Sequence, residues 1–271
     1  MSDYDYWERQ GLKPLFGEVD TLPPEQRRLA GKVLIMGGNK NAFFAVANAM
    51  TVAHKIGVGE ARVLLPSSVK GQVPATTEVY FAPVEKNSGA FGKEAVSEMM
   101  VQADWTDAVV LIGDVGKNAE TTVALAEFLR SCGKPVYITR DAIDAVTPEV
   151  ADWSMLREIE TGLILTVPQL QKLLRALYYP KVITLSMPMN QLIEALHKFT
   201  VSYPLMPIMT AHNGHIIVAQ NGNVVTEALE DTEWTQITLW GGDLAVRMAV
   251  LKLWNKSIDS YKVFASALLE K

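Results

Sequence analysis

The chain repeats one local theme: a short apolar run, a glycine turn, a helix of small residues and a second apolar run. Lys32-Val33-Leu34-Ile35-Met36 stops at Gly37-Gly38. The stretch 41–56 carries Ala45, Ala47, Ala49 and Ala53, and Gly57-Val58-Gly59 ends it before Ala61-Arg62-Val63-Leu64-Leu65-Pro66. Short apolar runs bounded by turn residues read as buried strands. A strand–helix–strand unit implies a parallel sheet with a right-handed crossover, because a twisted strand feeding a helix packs back onto its sheet only that way.

The theme returns. Ala108–Gly113 reads as a strand, 120–131 as a helix and Val136–Thr139 as a strand beyond the turn Gly133-Lys134-Pro135. Gly162–Thr166 is another strand, followed by a helix over 167–177, and Val182–Leu185 leads into a helix over 189–199. Strands are then expected at 206–210, 215–219 and 224–226, with Asn221-Gly222 between the last two. Asn-Gly between apolar runs signals a hairpin. Helices over 243–254 and 258–269 close the chain. The pattern predicts a three-layer α/β/α domain over residues 31–271, with a mostly parallel central sheet and an antiparallel edge. Residues 1–30, with Pro14, Pro23 and Pro24, read as an arm packed on it, and the tract 23–28 suits the start of a short helix.

Bulk properties narrow the function. Of 271 residues, 49% are hydrophobic and 20% charged, enough apolar material for a sizeable core. A net charge of -5 leaves no basic excess for phosphate backbones, so no nucleic-acid partner is expected. The one cysteine, Cys132, excludes an internal disulfide and a cysteine-built metal site, and fits a cytoplasmic setting. Residues 2–8 are acidic and aromatic, unlike a signal peptide. The longest apolar stretch, 42–53, is interrupted by Asn48 and Thr51 and is too short to span a bilayer, so no membrane partner is expected. The four histidines, at 54, 197, 212 and 215, form no metal motif, and Ser186 and Ser202 lack a nucleophile-elbow context. Trp105, Trp153 and Trp254 read as packing residues.

One stretch carries chemistry. In Leu239-Trp240-Gly241-Gly242-Asp243-Leu244, two glycines run into helical spacing at Leu244, Ala245, Met248 and Leu251. Unpaired N–H groups and the macrodipole favour negative charge at a helix start, and glycines let an anion approach the backbone. An aspartate in that first turn is kept ionised, as a base accepting a hydroxyl proton must be. The same residues are also an ordinary helix start after a glycine loop.

The order of these features resembles the ribokinase-like superfamily and, within it, the ATP- or ADP-dependent NAD(P)H-hydrate dehydratases, over roughly residues 30 to 270. Gly37-Gly38-Asn39 resembles that family's first glycine turn, and Lys55-Ile56-Gly57-Val58-Gly59 its helix end. Ala45 fits the alanine of a Gly-Ala pair whose glycine is Phe44 here. Gly113-Asp114-Val115-Gly116 resembles a shortened Gly-Pro-Gly-Leu-Gly turn, Asp141-Ala142-Ile143 a reduced Asp-Ala-Asp-Ala-Leu, and Trp240-Gly241-Gly242-Asp243 a Gly-Thr-Gly-Asp. Two departures stand out. Where the family has Pro-His-Pro-Gly-Glu, this chain has Val167-Pro168-Gln169-Leu170-Gln171, and Ala211 stands where the family has a nucleotide-contacting lysine.

The resemblance implies phosphoryl transfer from ATP or ADP, with Mg2+, to hydrated NADH or NADPH, followed by elimination. Asp243 is then the base and Gly241 and Gly242 the anion hole. Gly38, Asn39, Ala45 and Gly116 lie on the substrate side, and His212, Asn213 and Gly214 on the nucleotide side. Alternatives stay open. His212 or His215 is a phosphate contact or a solvated loop residue. Asp114 and Lys117 belong to the site or to a solvated turn. Trp240 stacks on a ligand ring or blocks the cleft. The chain is a repair lyase, a kinase for a small hydroxylated metabolite, or a non-catalytic nucleotide-binding or structural homologue. The family habit implies a homo-oligomer, a tetramer.

Overall fold

Alternation along the central strands sorts the core into two layers, one on each side of a single sheet. The computed structural model describes residues 5–11, 13–74, 76–148 and 158–269. Its elements run β1 (Trp7–Arg9), β2 (Lys32–Gly37), α1 (Phe44–Ile56), β3 (Glu60–Pro66), β4 (Val79–Ala82), α2 (Ala95–Trp105), β5 (Ala108–Gly113), α3 (Ala119–Ser131), β6 (Val136–Thr139) and α4 (Asp141–Val146). They continue with β7 (Thr161–Ile164), α5 (Val167–Ala176), α6 (Met189–Ser202), β8 (Ile208–His212), β9 (His215–Gln220), β10 (Asn223–Ala228), α7 (Gln236–Leu239), α8 (Asp243–Trp254) and α9 (Ser260–Ala267). The packing role expected of Trp153 and the first residues of the acidic lead-in, 2–4, lie outside the described residues.

The ten strands are ordered β1-β10-β9-β8-β7-β6-β5-β2-β3-β4. All neighbouring pairs are parallel except β8–β9 and β9–β10, the antiparallel pairs expected near one end of the sheet. Val33, Ile35, Val110 and Ile112 face a layer built by α1, α8 and α9, while Leu34, Met36, Val109 and Leu111 face α2, α3, α4, α5 and α6. Period-two alternation with both faces apolar explains why these strands read as continuous hydrophobic runs.

Several elements differ from expectation. α1 begins at Phe44 rather than 41, because the loop before it closes on itself: Asn39 N–H donates to the Ala42 carbonyl at 2.8 Å, and Ala42 N–H donates back to Asn39 at 3.2 Å. Residues 182–185 form no strand. Val182 and Leu185 are exposed while Ile183 is buried, so the stretch is a loop pinned by one side chain. β1 adds to the sheet edge in parallel with β10, where Trp7 Nε1 donates to Thr226 Oγ1 at 2.9 Å. Phe16 and Val19 bury themselves in the layer of α8 and α9. The short helix expected from the tract 23–28 is a single 3-10 turn over Arg27–Leu29.

α5 has a reciprocal cap. Gln169 N–H donates to Thr166 Oγ1 at 3.3 Å, and Thr166 N–H donates to Gln169 Oε1 at 3.0 Å. The exchange satisfies two otherwise orphaned helix donors.

Candidate functional site

The strands β2, β5, β6, β7 and β8 end on the same edge of the sheet, where open α/β sheets take ligands. Glycine brings the first two ends together. Gly38 N–H donates to the Gly113 carbonyl at 2.7 Å. Gly113 has φ +103, and a Cβ there would lie 2.5 Å from Asp141 Oδ1. The space left by the missing side chain is filled by that carboxylate. Asp141 accepts from Asp114 N–H at 2.5 Å and from Gly116 N–H at 2.9 Å, clamping the turn 113–116.

On this platform sits a groove of about 480 Å3, lined by Asn41, Ala42, Phe44, Ala45, Asn48, Asp114, Arg140 and Gly241. Asn48 Nδ2 donates to Asp243 Oδ1 at 2.6 Å, which joins α1 to the first residue of α8. Asp243 Oδ2 has no protein partner among the described residues. Opposite, Arg140 Nη2 donates to Asp114 Oδ1 at 2.5 Å, with the two side chains 34% and 15% exposed. Arg140 holds φ 58 and ψ -142, a conformation that costs a non-glycine residue roughly 1–3 kcal/mol. Its carbonyl is held by Gln169 Nε2 at 2.8 Å, and the same amide reaches Asp144 Oδ2 at 2.8 Å. The α5 cap therefore also braces the strained arginine.

The expected site residues divide. Ala45 and Gly241 line the groove, and Asp243 is tied to it through Asn48. Gly38 is buried behind it. Asn39 is a brace, its Nδ2 donating to the Asp114 carbonyl at 2.5 Å and its Oδ1 accepting from Asn41 N–H at 2.8 Å. Gly116 lines a neighbouring cleft of about 630 Å3, together with Lys117, Asp144 and Lys172. The two glycines at the helix start are not equivalent. Gly241 N–H donates to the Thr238 carbonyl at 3.0 Å, closing α7, so it is not a free donor. Among the described residues, the N–H groups of Gly242, Asp243 and Leu244 have no acceptor, as expected for a first helical turn. Trp240 packs partly buried against the α1, α8 and α9 layer and is absent from the groove lining.

The β8–β9 turn stands at the same sheet edge. Asn213 and Gly214 make it, with φ 47 and φ +74, and Gly214 accepts from Leu229 N–H at 2.9 Å. His212 is 4% exposed, and its Nε2 lies 2.7 Å from the Met187 carbonyl, so its ring is held in the protein. His215 is exposed, its Nδ1 3.0 Å from the Asn213 carbonyl.

Behind the platform, Glu85 accepts from Asn87 and Ser88 N–H at 2.8 and 2.7 Å, from Ser88 Oγ at 2.8 Å and from Asn118 Nδ2 at 3.1 Å. The hydrogen bonds from the Ser88 and Asn87 amides hold its carboxyl below the ordinary range. This fastens loop 85–92 to the cap of α3. Asn48 and Arg140 were passed over in the sequence, although Asn48 follows Ala45 by three residues and so shares its helix face.

No group of three or more histidine, cysteine or acidic side chains among the described residues stands ready to hold a metal. Isolated carboxylates suit a magnesium ion carried by nucleotide phosphates and water rather than a protein cage.

No protein-family model matches the sequence. Solved structures do resemble the chain. A ribokinase-like superfamily protein from Enterococcus faecalis has a TM-score of 0.70 at 14% identity, over 98% of this chain and 87% of that one. The fold is ribokinase-like. An ADP/ATP-dependent NAD(P)H-hydrate dehydratase from Bacillus subtilis, co-crystallised with ATP and Mg2+, has a TM-score of 0.57 at 12% identity, over 92% and 82% of the two chains. A pyridoxal kinase from the same organism, in an ADP complex, has a TM-score of 0.52 at 12% identity, over 87% and 88%. The ribokinase-like fold thus serves a dehydratase and a kinase alike, and function has to be argued from the groove.

Proposed function

We propose that this protein transfers a phosphoryl group from ATP or ADP to a hydroxyl of a small molecule bound in the groove, with Asp243 as the base. The observation that carries the reading is the Asn48–Asp243 pair. One carboxylate oxygen is fixed at 2.6 Å and the other left without a protein partner among the described residues, beside the groove and in the first turn of α8. A substrate hydroxyl donating to that second oxygen loses its proton to it as the O–P bond forms. The free amides of Gly242, Asp243 and Leu244 suit charge on the moving phosphoryl group, because phosphoryl transfer needs positioning and neutralisation more than covalent help. Magnesium, carried on the phosphates, supplies further neutralisation. The Asn213–Gly214 turn belongs to the nucleotide side, through its backbone rather than the buried His212 ring.

In the finer reading the acceptor is hydrated NADH or NADPH. The phosphate of the new ester then leaves with the C–O electron pair, a neighbouring ring carbon gives its proton to water, and the dihydropyridine double bond returns. A second reading, a kinase that stops at the phosphate ester, is favoured by the engagement of Gln169. The turn after β7 offers a capping amide, with neither an acid nor a histidine for the elimination step.

The test has two stages. Thermal midpoints with ATP or ADP and magnesium should rise, since a ligand bound only by the native state must stabilise it. Hydrated NADPH is then supplied. Recovery of dihydropyridine absorbance with phosphate release supports repair, whereas a phosphorylated product supports the kinase. No midpoint shift with either nucleotide would sink both readings and leave the non-catalytic homologue.

A further inference from the structure

The groove carries two features that phosphoryl transfer alone does not require, and both bear on which molecule it accepts. Phe44 is 77% exposed at the groove wall. Its ring stacks on Phe43 at 5.2 Å between centroids and 12° between planes. Phe43 in turn packs against the α1, α8 and α9 layer. One face of Phe44 is therefore backed by the core and the ring is pre-oriented. Exposed single apolar side chains are common, but this one stands beside a charged pair in the same concavity. Asp114 Oδ1 is engaged by Arg140 Nη2, while Asp114 Oδ2 and Arg140 Nη1 have no protein partner among the described residues. The pair thus presents an acceptor and a donor side by side.

Resting on the phosphoryl-transfer reading, the geometry points to Phe44 as a stacking platform for a planar ring of the substrate. The Asp114–Arg140 pair reads the edge of that ring. The ligand class is a flat nitrogen heterocycle with adjacent donor and acceptor, as a conjugated carboxamide or an aminopyrimidine edge provides. The carboxamide N–H donates to Asp114 and its oxygen accepts from Arg140. An aliphatic polyol offers no face to Phe44 and no such edge. Aromatic rings gain from offset stacking beyond the area they bury, so the platform favours flat rings, and with them the kinase reading over the puckered ring of a hydrated dihydronicotinamide.

The experiment uses the full chain and two small probes, nicotinamide and its saturated counterpart piperidine-3-carboxamide, followed by ligand-observed NMR titration. Nicotinamide ring protons should move upfield as they stack, and the saturated probe should bind more weakly. Phe44→Ala should weaken nicotinamide about tenfold, Phe44→Trp should retain it, and the saturated probe should be indifferent to both. Arg140→Lys should weaken both carboxamides. No nicotinamide binding, or binding that Phe44→Ala leaves unchanged, overturns the platform. So does a Phe44→Ala variant that changes only the sedimentation behaviour, which would make Phe44 an interface residue. The two readings fail separately. Loss of the platform leaves nucleotide stabilisation intact, and absence of nucleotide stabilisation leaves ring binding through Phe44 standing.

Discussion

At the scale of single residues, charge placement divides into groups poised for ligand and groups sealed in the fold. Asp243 belongs to the first kind. Asp243→Asn keeps the size and the Asn48 contact but removes the base, so turnover should fall by roughly 100-fold or more while the thermal midpoint holds. Steady-state rates beside a melting curve check it, and an active variant would overturn the base assignment. Glu227 belongs to the second kind. It is 1% exposed on β10, accepts from Gln10 Nε2 at 2.8 Å, and has its other oxygen unpartnered among the described residues. Burial pushes its carboxyl up to about 7, opposed by the Gln10 hydrogen bond and aided by the Asp231 charge. The native state thus holds a proton that the unfolded chain, at an ordinary carboxylate pKa, has already released. Stability should be highest below about pH 4.5 with respect to this group, should fall as pH rises to about 7, and should then level off. The full swing is at most about 3 kcal/mol. Urea midpoints across that window should flatten in Glu227→Gln.

At the scale of elements, α8 and α5 depend on their first residues. Gly242 has φ +108, and a Cβ there would lie 3.0 Å from Ile112 Cδ1. Gly242→Ala should cost about 1–3 kcal/mol in urea unfolding, through backbone strain and crowding of β5. Thr166→Ala should cost roughly 1 kcal/mol through the lost cap. It should also lower affinity in the groove, because Gln169, freed from its cap, no longer fixes the Arg140 carbonyl. Unchanged affinity would separate the cap from the groove. These two helices also mark what was legible in the sequence. The central strands, α3, α5, α6, α8 and the Gly-Gly-Asp start stood out, because long apolar periodicity and glycine turns are local signals. β1, β4 and α2 did not. Trp7–Arg9 and Val79–Ala82 are short edge strands, the first with a partner more than two hundred residues away, and Ala95–Trp105 mixes Glu98 and Gln102 into its apolar face. The groove was legible only in part. Within 167–171, the stretch that read as the loss of a histidine and an acid, Gln169 has a structural task, and the Arg140–Asp114 pair arises from two strand ends no local pattern connects.

At the scale of the whole molecule, nearly all candidate chemistry lies on one edge of the sheet, while the opposite edge and the flanks serve cohesion. Trp254 Nε1 donates to the Ala30 carbonyl at 3.1 Å, and Arg62 lies over Trp105 at 3.8 Å, both remote from the groove. A chain lacking residues 1–10 should therefore keep its nucleotide-induced stabilisation. It should also melt lower and self-associate, because β10 then presents an unpaired row of N–H and C=O groups. Sedimentation velocity and melting curves decide it, and a monomer of unchanged stability would make the first strand dispensable.

That first strand also imposes an order of events on synthesis. Residues 7–10 emerge from the ribosome early, but their partners 224–227 follow 217 positions later. Throughout elongation the leading segment has nothing to pair with, and Gln10 waits for the carboxylate it will cover. Contacts this distant along the chain are the slowest to close. The nascent protein therefore leaves this segment unfastened until β10 has been made, so translation speed up to the β8–β10 hairpins sets how long residues 7–10 stay open to chaperones and proteases.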